Sequence, residues 1–193
     1  MIAENTARPD TRRAQIIGQA SQLFAARGYE RTSMRDIAGA VGMLPGSVYY
    51  HFASKGALRA AVYADAIDDA IAAVQKATSR HTDAWDRLEA ASIAHLTTLL
   101  DGGSIAAVIA DSPAHGAPEL VGHRHRYEAV FRDLVDDIAM PPGVSASHFR
   151  LALLGALNWA LTWFKPGGCS PEAVARGLFA VFRANAFHPS DRI

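Results

Sequence analysis

TSMRDIAGAVGMLPGSVYYHFASK, residues 32–55, is the stretch whose reading decides the fold. Thr32 and Ser33 are hydroxyl residues standing where a helix N-cap is needed, and Met34, Ile37, Ala38 and Val41 follow at helical spacing. Gly42 ends that helix, because glycine takes the left-handed conformation of a C-terminal cap at little steric cost. Pro45 fits the first position of a second short helix, in which Val48 and Phe52 recur four apart. Ser47, Tyr49, Tyr50 and His51 are left to project outward. Two short helices about a glycine turn make a helix-turn-helix, a motif whose second helix enters the DNA major groove.

Working outward, the residues before the motif supply its support. Residues 1–9 read as a loose polar arm, in which Arg8, with Arg12 and Arg13 just beyond, either meets phosphates or stays solvated. A first helix is expected over residues 11–27, with Ile16, Ala20, Leu23 and Phe24 as its apolar stripe and Gly28 as its stop. Tyr29 then packs into the small core that this helix covers.

Beyond the motif the pattern stays helical. Ser54 can cap a fourth helix running from Lys55 to about residue 78, with Leu58, Val62, Ile67, Ile71 and Val74 on its face. Thr82 is a candidate cap for a fifth, whose face is Trp85, Leu88, Leu96 and Leu99 and which Gly102 and Gly103 break. A short apolar helix over residues 105–110 follows, ended by SPAHGAP. Pro118 opens a seventh, carrying Leu120, Tyr127, Val130, Phe131, Leu134 and Ile138 in register until Pro141, Pro142 and Gly143 stop it. Ser145 or Ser147 caps an eighth to about residue 164, and Ser170, Pro171 and Glu172 begin a ninth to about residue 187. No segment alternates polar and apolar over strand length, so the fold class is all-α, with about nine helices. Residues 1–54 form the head and residues 55–193 the body.

Composition bounds what such a chain does. Its 193 residues are half hydrophobic and one-fifth charged, ordinary for a soluble globular protein with a sizeable core. Net charge is zero, yet residues 1–60 carry eight Lys/Arg against four Asp/Glu, which leaves eleven against fifteen for residues 61–193. A head of +4 on a body of −4 fits a nucleic-acid-binding module joined to one with another task, although scattered surface charge gives the same sums. The single cysteine, Cys169, excludes an intramolecular disulfide and fits a reducing cytoplasm. No charged-then-apolar leader opens the chain, which argues against a signal peptide, and the most apolar run, residues 151–164, is too short to span a bilayer. No membrane association is expected.

The pattern G-x-x-x-G-S-V-Y-Y-H-F-x-S-K over residues 42–55, with the preceding R-D-I-A, resembles the DNA-binding signature of the TetR family of transcriptional regulators. The likeness runs from about residue 12 to residue 62. It implies a dimeric regulator in which the helix over residues 55–78 connects the head to a ligand-binding body. It also implies DNA contacts from Thr32, Ser33, Arg35, Pro45, Gly46, Ser47, Tyr49, Tyr50, His51 and Lys55. The chemistry agrees: hydroxyls, an imidazole and a lysine suit phosphates and base edges, and Pro45 and Gly46 add no bulk. Of the two tyrosines, Tyr49 is the one expected to pack partly inward. One position departs from the family: Leu44 stands where a capping Ser or Thr is usual, forfeiting about 1 kcal/mol. The expected compensation is that Leu44 docks as a hydrophobic staple. The stretch LNWALTWFKPGG, residues 157–168, is similar to a segment of acyl-CoA-responsive members that govern lipid or steroid breakdown, and some of those also have an apolar residue at the cap.

The body offers candidate effector contacts. Trp85, His95, Leu99, Tyr127, Phe131, Asn158 and Trp159 are expected to line an apolar pocket between the fifth to eighth helices, with His95 and Asn158 either touching ligand or satisfied in the core. Arg124 and Arg126 are cations that an acyl thioester would want nearby. His123 and His125, two apart on a helix, diverge, so even with His115 no metal site is expected, and no cofactor motif occurs. Asp136 and Asp137 read as a solvated face. The eighth helix is apolar nearly all round, with Leu151, Leu153, Leu154, Leu157, Trp159, Leu161, Trp163 and Phe164. It must be covered on every side, either as a central core helix or by the last two helices of a second copy.

The function expected is therefore a sequence-specific DNA-binding regulator: a homodimeric repressor released from a palindromic operator by a small hydrophobic or acyl-type effector. The alternatives are a ligand-free architectural DNA-binding protein and a small-molecule-binding helical protein that kept the head. No convergent acid, base or nucleophile set is present to make it an enzyme.

Overall fold

A computed structural model describes residues 8–100 and 118–186. Its described residues form eight helices and no strand: α1 (Arg8–Arg27), α2 (Met34–Ala40), α3 (Pro45–His51), α4 (Lys55–Thr78), α5 (Ala84–Leu100), α6 (Pro118–Asp136), α7 (Ala146–Trp163) and α8 (Pro171–Ala186). The helix expected over residues 105–110 lies outside the described residues, so the expected seventh, eighth and ninth helices are α6, α7 and α8. The described residues pack as two compact units, one up to residue 66 and one from residue 67 onward, and α4 belongs to both.

The first unit is built on short-range signals. Gly28 and Gly42 sit at φ +81° and +64°, the left-handed conformation in which a β-carbon would be strained, and they end α1 and α2 as the sequence requires. Ile16, Ile17 and Ala20 from α1, Met34, Ile37 and Ala38 from α2, Val48 and Phe52 from α3, and Leu58 and Val62 from α4 close one core. Tyr29 meets Phe24 edge-on with ring centroids 5.3 Å apart. Ser54 caps α4, its hydroxyl accepting from the Ala57 amide at 3.0 Å.

In the second unit α5 is the central helix, packed most extensively on α8 and also against α6 and α7. Leu88, Leu96 and Leu99 of α5 are fully enclosed with Phe131, Leu153, Leu157 and Phe179. The cap of α5 is Asp83, whose carboxylate accepts from the Trp85 and Asp86 amides at 2.9 and 3.0 Å, and not the expected Thr82. Ser145 and Ser170 cap α7 and α8. The all-round apolar α7 resolves into two stripes. Phe149, Leu153, Leu157 and Ala160 are buried, while Leu151, Gly155, Trp159 and Trp163 face outward. No helix among the described residues is long and apolar enough to cross a membrane.

Candidate nucleic-acid interface

α3 is held from below and open above. Val48 and Phe52 are its buried anchors, and they leave Gly46, Ser47, Tyr49 and Tyr50 exposed on the other side, with Pro45 and His51 partly covered. Tyr50 is 88% exposed and Tyr49 52%, so Tyr49 is the more inward of the pair, as expected. The Tyr50 and His51 rings meet edge-on at 5.4 Å, which orders an aromatic and imidazole cluster at the end of the helix. Seven residues give two turns, enough to present this one face and little else.

The helix before it is aligned by a capping box. The Ser33 hydroxyl accepts from the Asp36 amide at 3.1 Å, and the Asp36 carboxylate accepts from the Ser33 amide at 2.8 Å and from its hydroxyl at 2.6 Å. The Ser33 hydroxyl and amide hold the Asp36 carboxyl below its usual value. Ser33 and Arg35 remain on the surface.

Three expectations change here. Thr32 is 1% exposed, and its hydroxyl donates to the Gly28 carbonyl at 2.9 Å; it closes the α1–α2 turn and is not presented to a phosphate. Lys55 is turned inward: its ammonium donates to the Tyr29 carbonyl at 3.1 Å and lies 4.2 Å from the centre of the Tyr29 ring. Arg59, which no motif singled out, lies 4.1 Å from the same ring. Leu44 does not dock as a staple; it is the N-cap of α3, makes no side-chain cap bond and is 78% exposed.

The expected effector residues also divide. Trp85, Leu99, Tyr127 and Phe131 are buried, and His95 joins two other helices. Its Nδ1 is 2.8 Å from the Tyr127 hydroxyl and its Nε2 is 2.9 Å from Asn158 Oδ1. Because Oδ1 only accepts, Nε2 carries the hydrogen, and the phenol donates to Nδ1. Phe131 packs on both rings, 5.6 Å from His95 and 5.7 Å from Tyr127. Trp159 departs from the pocket expectation, since it is 65% exposed on the outer stripe of α7. Trp85 sits apart from the triad, edge-on to Phe149 and Phe179. A surface recess of the body is lined by residues including Ala73, Ala77, Arg80, Ile93, Ala94 and Thr97. Arg126 is taken up by Asp68 at 2.6 Å, and Asp137, expected to be merely solvated, bonds Arg87 at 2.7 Å. Among the described residues no group of three or more His, Cys, Asp or Glu is placed to hold a metal ion; His115 lies outside them.

An outward-facing second helix, a glycine turn and a four-helix core define a helix-turn-helix DNA-binding module ahead of a helical body. A family model described as "Bacterial regulatory proteins, tetR family" matches residues 16–62, and one described as "Tetracyclin repressor-like, C-terminal domain" matches residues 81–185. The chain belongs to the tetR family of bacterial regulatory proteins, and it is a DNA-binding transcriptional regulator.

It is similar to the HTH-type transcriptional repressor KstR2 of Rhodococcus jostii (strain RHA1), with 29% identity over 190 residues that cover 93% of each protein. Among solved structures, the superantigen PfiT matches with a TM-score of 0.77 and 27% identity over 91% of this chain and 97% of that one. The structure of AibR in complex with isovaleryl coenzyme A and operator DNA matches with a TM-score of 0.74 and 23% identity, over 88% and 97% of the two chains; it supports the fold. One fold thus appears under different descriptions, so function is argued from the residues of the head.

Lys55 gives a first test. Lys55→Met is expected to cost about 1–2 kcal/mol of stability, through the lost charged hydrogen bond and cation–π contact. It should weaken DNA binding while leaving the salt dependence of affinity unchanged, because a lost phosphate contact would lower the slope of log K against log salt by about 0.9. A salt titration of wild type and variant measures this, and a slope lowered by that amount would return Lys55 to the phosphate-contacting role.

Proposed function

We propose that the protein is a repressor that binds a palindromic operator as a homodimer, with residues 1–54 as the DNA-binding domain, residues 55–193 as the effector-binding and dimerisation domain, and α4 as the connector. The observation that carries this reading is the outward set Ser47, Tyr49 and Tyr50 on a helix pinned by Val48 and Phe52. Arg35, Pro45, Gly46 and His51 complete the DNA-facing group, with Ser33 beside it; Thr32 and Lys55 act behind it as supports. The repressor assignment follows the similarity to KstR2 along nearly the whole chain. Dimerisation through α7 and α8 accounts for the exposed Leu151, Trp159, Trp163 and Val181. The protein would act without catalysis, in the cytoplasm where operator DNA lies.

For the effector, the segment over residues 157–168 favours an acyl-type molecule. His95, Tyr127 and Asn158, which bond to one another, would be the polar groups that orient it once those bonds open, with Leu99 and Phe131 as apolar wall. Ligand releases DNA only if it binds the two conformations of the protein with different affinities. The direct contacts among His95, Tyr127 and Phe131 favour a second reading, a regulator that needs no effector.

Selection of duplexes from a randomised pool, followed by challenge with a panel of acyl-coenzyme A thioesters, tests both. The expected result is enrichment of a palindrome with half-sites about one helical turn, roughly 34–36 Å, apart. One of the thioesters should then release it and raise the melting temperature. Failure to enrich any duplex would sink the regulator assignment; enrichment with no response to any thioester would favour the effector-independent reading.

A further inference from the structure

Among the described residues of the head, Leu44 is the large aliphatic residue that the core does not use. Its neighbours Val41 and Met43 pack against the core and Leu44 does not, which leaves 78% of its surface in water. Its position is nevertheless fixed. The backbone is extended at φ −71° and ψ 145°, its carbonyl accepts from the Ser47 amide at 2.9 Å, and Pro45 follows. Leu44 therefore stands exposed at the N-terminal end of the helix that presents Ser47, Tyr49 and Tyr50, three residues before Ser47.

A leucine here forgoes the hydroxyl that would cap α3, and nothing inside the described head replaces what is forgone. Its chemistry selects its partner. The edges of the base pairs in the major groove are hydrogen-bonding groups with one apolar exception, the 5-methyl group of thymine. We infer that Leu44 is a specificity-determining residue that packs on a thymine methyl at one fixed position in each operator half-site. This inference rests on the DNA-binding assignment and adds to it the base that one residue selects. It also gives the missing cap a use, because a hydroxyl at position 44 would satisfy the helix and carry no preference for a methyl group.

The test uses the full-length protein and the tightest-binding duplex selected from a randomised pool. Each thymine is replaced in turn, in both half-sites, by deoxyuridine, which removes the methyl group and leaves the Watson–Crick edge intact. At one symmetry-related pair of thymines the replacement is expected to weaken wild-type binding about fourfold per half-site, the worth of one buried methyl group. Leu44→Ala is expected to be indifferent to that same replacement. Leu44→Ser is a second variant, expected to be equally indifferent while melting no lower than wild type, since its hydroxyl supplies the cap.

If every deoxyuridine replacement affects wild type and both variants alike, the inference is overturned while DNA binding stands. If wild type enriches no duplex at all, the regulator assignment fails and takes this inference with it. The two failures are told apart by the selection step alone.

Discussion

Lowering the pH from 6.5 to about 4 is expected to remove about 3 kcal/mol from the stability of the helical body, and His95→Gln should abolish that loss. The imidazole is fully enclosed, and desolvation of its charged form pulls its pKa from 6.5 to about 4, with the Asn158 bond acting in the other direction. In the unfolded chain the same ring titrates near its ordinary value. Between the two values unfolding takes up a proton, so the unfolded state gains as pH falls. The stability is fully present above pH 6.5, declines through the window and levels off below about 4. At about 1.4 kcal/mol for each pH unit separating the two states, the full loss is about 3.5 kcal/mol, of which about 3 falls within this window.

Glutamine is the informative replacement for His95, because its amide can donate towards Asn158 Oδ1 and accept from the Tyr127 hydroxyl without titrating. Urea unfolding at pH values from 7.5 to 4.5 measures the slopes. The carboxylates contribute equally to both proteins, so the difference between the curves belongs to His95. Parallel curves would mean that the ring does not stay neutral inside the native body. Burial raises the Tyr127 phenol well above its ordinary value, so it remains a donor to Nδ1 throughout this range.

What the sequence could reveal and what it could not differ by the range of the interaction concerned. Gly28 and Gly42, Pro45 and Ser54 act within four residues of their own position, and each does in the structure what its type requires. The inward turn of Lys55 depends on Tyr29, twenty-six residues earlier, and no local pattern encodes that contact. The triad is more distant still, with His95 separated from Tyr127 by 32 residues and from Asn158 by 63. Its members could be named as polar groups on apolar faces, but their mutual satisfaction could not. Spacing gave Leu44 a plausible dock and said nothing of whether a partner surface lay within reach. In α7 the apolar residues run all round the helix, so periodicity carried no signal to separate the buried Leu157 from the exposed Trp159. A pattern of hydrophobicity reports that burial is needed, and it does not report against what.

Charging the outer stripe of α7 is expected to separate the protomers and to weaken operator binding by about 10²–10⁴-fold, the gain that joining two binding modules ordinarily confers. Leu151, Gly155, Trp159 and Trp163 recur every four residues on one side of that helix, opposite the buried Phe149, Leu153 and Leu157. On α8 the outward residues Gly177, Ala180, Val181 and Ala184 are small or apolar, and nothing approaches within 4 Å of where side-chain carbons at Gly155 and Gly177 would stand. Large apolar residues beside small ones suit close helix packing against a second copy. The double variant Leu151→Glu, Trp159→Glu would bury carboxylates in such an interface, where their desolvation opposes association. Both residues are exposed within one protomer, so the variant should keep its helical circular dichroism. Sedimentation velocity should find it at half the wild-type mass, and a titration with selected operator should find the affinity loss. A recognition helix of seven residues reaches only a few base pairs, so one head alone has little with which to distinguish sites. A variant that sediments as a dimer would place the interface elsewhere. A monomer with unchanged affinity would mean that each head binds on its own, and the operator would then need no second half-site.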